Sequence, residues 1–143
     1  MRVSKIMGLD LGSKTCGVSI SDGLKMFAHP YKTLYFDGDL ASLQAPLLEI
    51  IEKENIKEIT LGLPKMMNND LGERAQISME FKELLETWFS VKVILIDERL
   101  TSVSANRQLI DLDMSRKKRK KVIDQVAAVQ ILQTYLDQNS FKR

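Results

Sequence analysis

The chain has 143 residues, of which 44% are hydrophobic and 28% charged. That fits one domain spanning 1–143 with a core of its own, excludes disorder and collagen-like repetition, and leaves no apolar run near the ~20 residues that cross a bilayer. The formal net charge of +2 conceals a split: residues 116–143 carry eight Lys/Arg against two acids, while residues 1–115 carry 13 bases against 17 acids.

Residues 6–11 read as a buried strand ending at Gly12, and Ser13 and Lys14 as a turn. In 17–21, Val18 and Ile20 alternate with Ser19 and Ser21, which predicts the return strand of a hairpin. Asp22-Gly23 is a turn signal, and 25–36 predicts a third, partly irregular strand interrupted by Pro30. Leu40, Leu43, Leu47, Leu48 and Ile51 recur at helical spacing through 39–55, where Pro46 either restarts or kinks the helix. A short strand at 58–63 runs into Gly62-Leu63-Pro64 and a polar loop at 65–71. An amphipathic helix follows at 72–89, built on Ala75, Met79, Phe81, Leu84, Leu85 and Trp88. Residues 91–96 are apolar apart from Lys92 and predict a strand buried on both faces. The pattern ends with a helix at 101–110 capped by Thr101 or Ser102, a basic loop at 114–121 and a last helix at 122–136. Three antiparallel strands followed by strand–helix units predict an α/β fold: a mixed sheet with helices on both faces.

The acids sit where elements end. Asp10 lies near the end of the first strand between Gly8 and Gly12, Asp97 and Glu98 close the last strand, and Asp124 opens the last helix. Sites in open sheets form beyond the ends of central strands. A strand-end acid commonly serves as a cap or surface ion-pair partner, and that reading stays open for Asp124. It is weaker for Asp10, because a carboxylate inside an apolar strand is costly unless satisfied. Adjacent strand residues point to opposite faces, so one of Asp97 and Glu98 can join Asp10; Glu98 is the choice, with Asp97 as a supporting or capping group. One cysteine, Cys16, and one histidine, His29, exclude an internal disulfide and a Cys- or His-rich metal site. Converging carboxylates would therefore suit a hard cation, Mg²⁺ or Mn²⁺, and two such ions can drive phosphodiester cleavage.

The stretch from Gly8 to Thr15 is nearly a phosphate-binding Walker loop, but Ser13 replaces the glycine before Lys14 and a hairpin follows. The run Arg116, Lys117, Lys118, Arg119, Lys120 and Lys121 reads either as a solvated loop or as a nucleic-acid grip beside Asp124. Six neutralised phosphates would give a slope of roughly −4 to −5 in log affinity against log salt. Aromatic residues are 6% of the chain and do not interleave with this run, which favours backbone recognition over base stacking. The N-terminal apolar stretch is broken by Asp10 too early for a signal peptide, so the expected compartment is the cytoplasm.

Taken together the motifs resemble the YqgF/RuvX family of pre-16S rRNA nucleases, relatives of the RuvC Holliday-junction resolvases. The resemblance rests on Met7-Gly8-Leu9-Asp10-Leu11-Gly12-Ser13-Lys14 continuing through Gly17-Val18-Ser19 to Ser21-Asp22, on Gly62-Leu63-Pro64 with Gly72-Glu73-Arg74-Ala75, on Asp97-Glu98-Arg99-Leu100-Thr101-Ser102 with Ala105, and on Ile123-Asp124 with Ala127-Ala128 and Ile131-Leu132. It implies an RNase H-like fold and metal-dependent hydrolysis at Asp10, Glu98 and Asp124. Nucleic acid would be contacted by Lys14, Arg99 and the basic run. It also implies a role in trimming the 5′ end of small-subunit rRNA precursors, with ribosomal particles as partners. A DNA-junction resolvase, for which a homodimer rather than a monomer would be needed, and a non-catalytic RNA-binding module are the competing readings. The chain departs from the family pattern at Thr15, where arginine is usual, and at Asn68-Asn69, where Asp-Gly is usual and Asp70 is a displaced acid.

Overall fold

The computed structural model describes residues 3–64, 72–98 and 116–140, with side chains of the last segment described over 125–139. Strands β1 (Lys5–Leu11), β2 (Thr15–Ser21) and β3 (Ala28–Tyr35) form the antiparallel meander, followed by a 3-10 turn (Leu40–Leu43), helix α1 (Gln44–Glu54), β4 (Ile56–Leu63), helix α2 (Glu73–Trp88), β5 (Lys92–Asp97) and helix α3 (Arg116–Ser140). The sheet order is β3-β2-β1-β4-β5. β1 pairs antiparallel with β2 and parallel with β4, and β4 pairs parallel with β5, so the mixed sheet expected from the element order is present.

Local chemistry explains most boundaries. Asp39 caps the 3-10 turn by accepting from the Ala41 N–H at 3.2 Å. The helix restarts near Pro46: the 3-10 turn ends at Leu43 and α1 begins at Gln44, so Pro46 is its third residue, in the first turn, where no intrahelical partner exists for an N–H. Asn55 ends α1 in the left-handed region at φ 54°, and its side-chain amide donates to the Val3 carbonyl at 3.2 Å. Pro30 is tolerated because β3 is an edge strand and its ladder shifts register between Val18 and Ser19, opposite the proline.

Two expectations are corrected. The basic segment is not a loop from Arg116 onward: α3 begins there, because Lys and Arg are good helix formers and no Gly or Pro interrupts the run. Asp124 consequently lies in the third turn of the helix and not the first. β5 packs against both layers as its apolar pattern predicts, Val93 buried on one face and Ile96 on the other, although it is an edge of the described sheet, with Lys92 exposed and Ile94 and Leu95 half-buried. The expected loop at 65–71 and helix at 101–110 lie outside the described residues.

The two sheet faces differ. On one, Met7, Leu9, Cys16, Val18, Ile59 and Leu61 pack with Leu43, Leu47 and Ile50 of the 3-10 turn and α1 and with Phe81 and Leu85 of α2. On the other lies α3, through Ala127 and Ile131 against Ile96 and through Leu132 and Leu136 against Ile6.

Candidate functional site: an acidic corner under helix α3

The residues of β1 alternate between these faces. Met7, Leu9 and Leu11 belong to the large core, Ile6 packs under α3, and a Cβ added to Gly8 would meet α3 at the Leu132 Cβ and the Ala128 carbonyl oxygen. The same alternation assigns Asp10 to the α3 face, where it is 3% exposed. In β5, Val93 and Leu95 contact the large core while Ile94 and Ile96 contact the α3 layer. Glu98 therefore continues the α3 side and Asp97 the other. The chosen acid, Glu98, is thus the one that shares a face with Asp10.

β4 separates the two strands. Neighbouring strands stand about 4.8 Å apart, so the backbones of β1 and β5 are roughly 10 Å apart across β4. Gly62 occupies the β4 position between them: it pairs with Ile96, and it follows Leu61, the partner of Leu9. The Glu98 carboxylate leans over that glycine. Its Oε1 lies 2.9 Å from where a Gly62 Cβ would be. The longer acid on the outer strand reaches inward across a position with no side chain.

Helix α3 approaches this corner because small residues line its path. Ser19, fully buried, donates its hydroxyl to the Ala128 carbonyl at 2.8 Å, and a Cβ on Gly8 would collide with the Ser19 Oγ and the helix. The helix runs antiparallel to β1. Leu136 and Leu132 pack on Ile6, Ala128 sits over Gly8, and the Gln125 amide reaches the Thr33 hydroxyl at 3.4 Å. Thr33 pairs with Gly17, and Gly17 pairs with Asp10, so residue 125 crosses the sheet on the row that contains Asp10. Position 124 lies one helical turn before Ala128 along α3. Asp10 and Glu98 thus share one face of the sheet, and the α3 helix that carries position 124 crosses that face. The basic residues 116–121 occupy the two turns that precede it.

The donor set suits a hard divalent ion. It consists of carboxylates held on one face, where like charges need a compensating cation, and Cys16 belongs to the opposite core. Among the described residues, no three His, Cys, Asp or Glu side chains cluster closely enough to hold a metal. Lys14 sits in the turn between β1 and β2, where its carbonyl accepts from Phe36 at 3.0 Å; Arg99 and Asp70 lie outside the described residues. A groove of about 530 Å³ between the 3-10 turn and α2, lined in part by Gly12, Ser13, Ile77 and Leu84, lies on the far side of the sheet and contains none of these acids. Sequence reasoning missed the seating of the helix. Gly8, Ser19 and Gly62 were visible as small residues inside strands, but their role depends on which helix crosses them.

A mixed five-stranded sheet with the meander first and the last helix across one face is the RNase H-like architecture of the junction resolvases. RuvC of T. thermophilus, solved in complex with a Holliday junction substrate, superposes with a TM-score of 0.60 at 10% identity over 96% of both chains. The fowlpox virus Holliday junction resolvase gives 0.53 at 14% identity over 94% of this chain and 98% of that one. At such identities the likeness is one of fold. Residues 4–138 match the family described as RuvX, Holliday junction resolvase, and the chain belongs to that family. It is 50% identical over 135 residues to a protein of Oceanobacillus iheyensis named "Putative pre-16S rRNA nuclease", covering 94% of this chain and 98% of that one. A Geobacillus protein of the same name is 48% identical over 134 residues, covering 93% and 97%. Among the described residues, no helix is long and apolar enough to cross a membrane.

Proposed function

We propose that this protein is a divalent-metal-dependent nuclease that hydrolyses phosphodiester bonds in the 5′-end processing of pre-16S rRNA, in the cytoplasm and on ribosomal precursor particles. One observation carries the reading: Asp10 and Glu98 share the α3 face, with the Glu98 carboxylate lying over Gly62 between their strands. Asp10, Glu98 and Asp124 are the residues that would hold Mg²⁺ or Mn²⁺. Such ions, when bound, activate water and stabilise charge on the phosphate being cleaved, and two of them are the suspected complement.

The rest is the work of the chain. Asp10 is held rigidly inside a central strand and is shielded from bulk water. Glu98 comes from just past the end of β5, with its carboxylate lying over Gly62. The first two turns of α3 supply the positive charge that draws the phosphate backbone toward the acids, with Lys14 and Arg99 as further contacts. Six consecutive helical positions at 100° steps go more than once around the axis. Three or four of them can face one strand of nucleic acid, which lowers the expected salt slope to about −2 to −3.6.

The test is cleavage of a precursor 16S rRNA carrying its 5′ leader, with Mg²⁺ or Mn²⁺, compared with Asp10→Asn. Metal-dependent trimming that the variant loses supports the reading, and retained cleavage sinks it. The family description favours one other substrate, a four-way DNA junction, which belongs in the same assay. Symmetric junction cutting without rRNA trimming would make the protein a resolvase, and salt-sensitive RNA binding without turnover would make it a binding module.

A further inference from the structure

Gly62 and Gly8 are both crossed closely by α3, but for different reasons. A Cβ on Gly8 would meet the Ser19 hydroxyl, the Leu132 Cβ at 2.7 Å and the Ala128 carbonyl oxygen at 2.8 Å. Two of these are held by the helix backbone and cannot turn aside, so Gly8 sets the spacing between helix and sheet. A Cβ on Gly62 would meet the Ile131 Cδ1, the Ile131 Cγ1 at 3.2 Å and the Glu98 Oε1 at 2.9 Å. The Ile131 Cδ1 ends a side chain that is itself fully buried, so its removal is part of the test below. Besides the Ile131 Cγ1, the other neighbour is the carboxylate itself, and moving it means moving it off β4.

We propose that Gly62 is a positioning residue for Glu98: the missing side chain is the seat that lets the Glu98 carboxylate lie over β4 toward Asp10. Glu98 has to bridge a strand spacing of about 10 Å from the outer strand, and the direct line passes over Gly62. Any L-residue there occupies that line. Glycine is required for the space above it, and not for its backbone freedom. The inference deepens the metal-site reading and rests on it.

The experiment separates helix packing from carboxylate seating. Ile131→Val removes the Cδ1 that a new methyl would strike, so Gly62→Ala is made alone and together with Ile131→Val. Mn²⁺ binding to the full-length proteins is followed by the loss of the free-ion electron paramagnetic resonance signal, and stability by thermal melting without metal. The expected result is that the double variant melts close to Ile131→Val yet binds Mn²⁺ at least about tenfold more weakly, as displacement of a supporting or ligating group does. Binding within twofold of Ile131→Val overturns the assignment of Gly62. Wild-type protein whose Mn²⁺ binding is absent, or is unchanged by Asp10→Asn and Glu98→Gln, overturns the metal site itself and this assignment with it. Loss of binding in the double variant, with wild-type binding that depends on Asp10, is the outcome that separates Gly62 from a merely structural glycine.

Discussion

The two faces of the sheet are made of different materials. The face toward α1 and α2 is built from Met7, Leu9, Val18, Ile59 and Leu61 closing on Phe81 and Leu85, all but fully buried. Opposite them, the same strands present Gly8, Asp10, Gly17, Ser19 and Gly62 to α3. Large apolar side chains bury the most area and carry the stability. The small and polar set gives up that burial in exchange for a helix lying close to the sheet with carboxylates at its edge. Stability and chemistry are therefore separable by face, and substitutions on the two sides should fail in different ways.

The largest effect belongs to the apolar face. Phe81 is fully buried, with its ring edge-on to Trp88 at a centroid distance of 6.4 Å. Phe81→Ala should cost about 3–5 kcal/mol, measured by urea denaturation, while the fraction that remains folded keeps its turnover number. Asp10→Asn should do the reverse. Cleavage falls at least about 100-fold, or ~2.7 kcal/mol of transition-state stabilisation. The metal-free melting temperature should fall by less than it does for Phe81→Ala, because the substitution keeps the shape of the side chain and leaves no cavity. A large drop in stability for Asp10→Asn would break the division between faces. Ser19→Ala tests the seam between them: losing the 2.8 Å hydrogen bond to the Ala128 carbonyl should cost about 1 kcal/mol in denaturant titration. The melting effect should exceed any change in Mn²⁺ affinity.

Much of this division was legible in the chain. Period-two alternation in 17–21 marked which residues of β2 face α3, and the same rule separated Asp97 from Glu98. The hairpin, the order of strands and helices and the acids at strand ends follow from patterns of two to ten residues. What escaped is decided by partners far away in sequence. Burial of residues 91–96 on both faces was legible, but position in the sheet is set by pairing, and β5 pairs with β4 alone among the described strands. Pro46 was ambiguous because its effect depends on where the helix starts, and a start at Gln44 makes it harmless. Gly62 marked a strand end; that it seats a carboxylate from residue 98 could be seen only once β5 lay beside β4.

The basic run gives the smallest effect in energy and the sharpest test of why charge is split along the chain. As a loop, six cations would cost the fold little. As the first two turns of α3 they oppose the helix macrodipole, whose positive end lies there, and they repel one another; no acid in the first turn compensates. Such an arrangement is expected where a phosphate backbone supplies the missing negative charge. Arg116→Glu with Lys117→Glu should therefore stabilise the free protein, by about 0.3–1 kcal/mol for each favourable first-turn charge, read as a rise in melting temperature at low salt. The same pair should weaken RNA binding and flatten its salt slope by about 0.7–0.9 for each phosphate contact removed. Mn²⁺ affinity should stay near wild type, because the pair lies about two turns of helix before position 124. If the exchange lowers both stability and metal affinity, the basic turns are part of the structural face of α3, and the split in charge serves folding and not recognition.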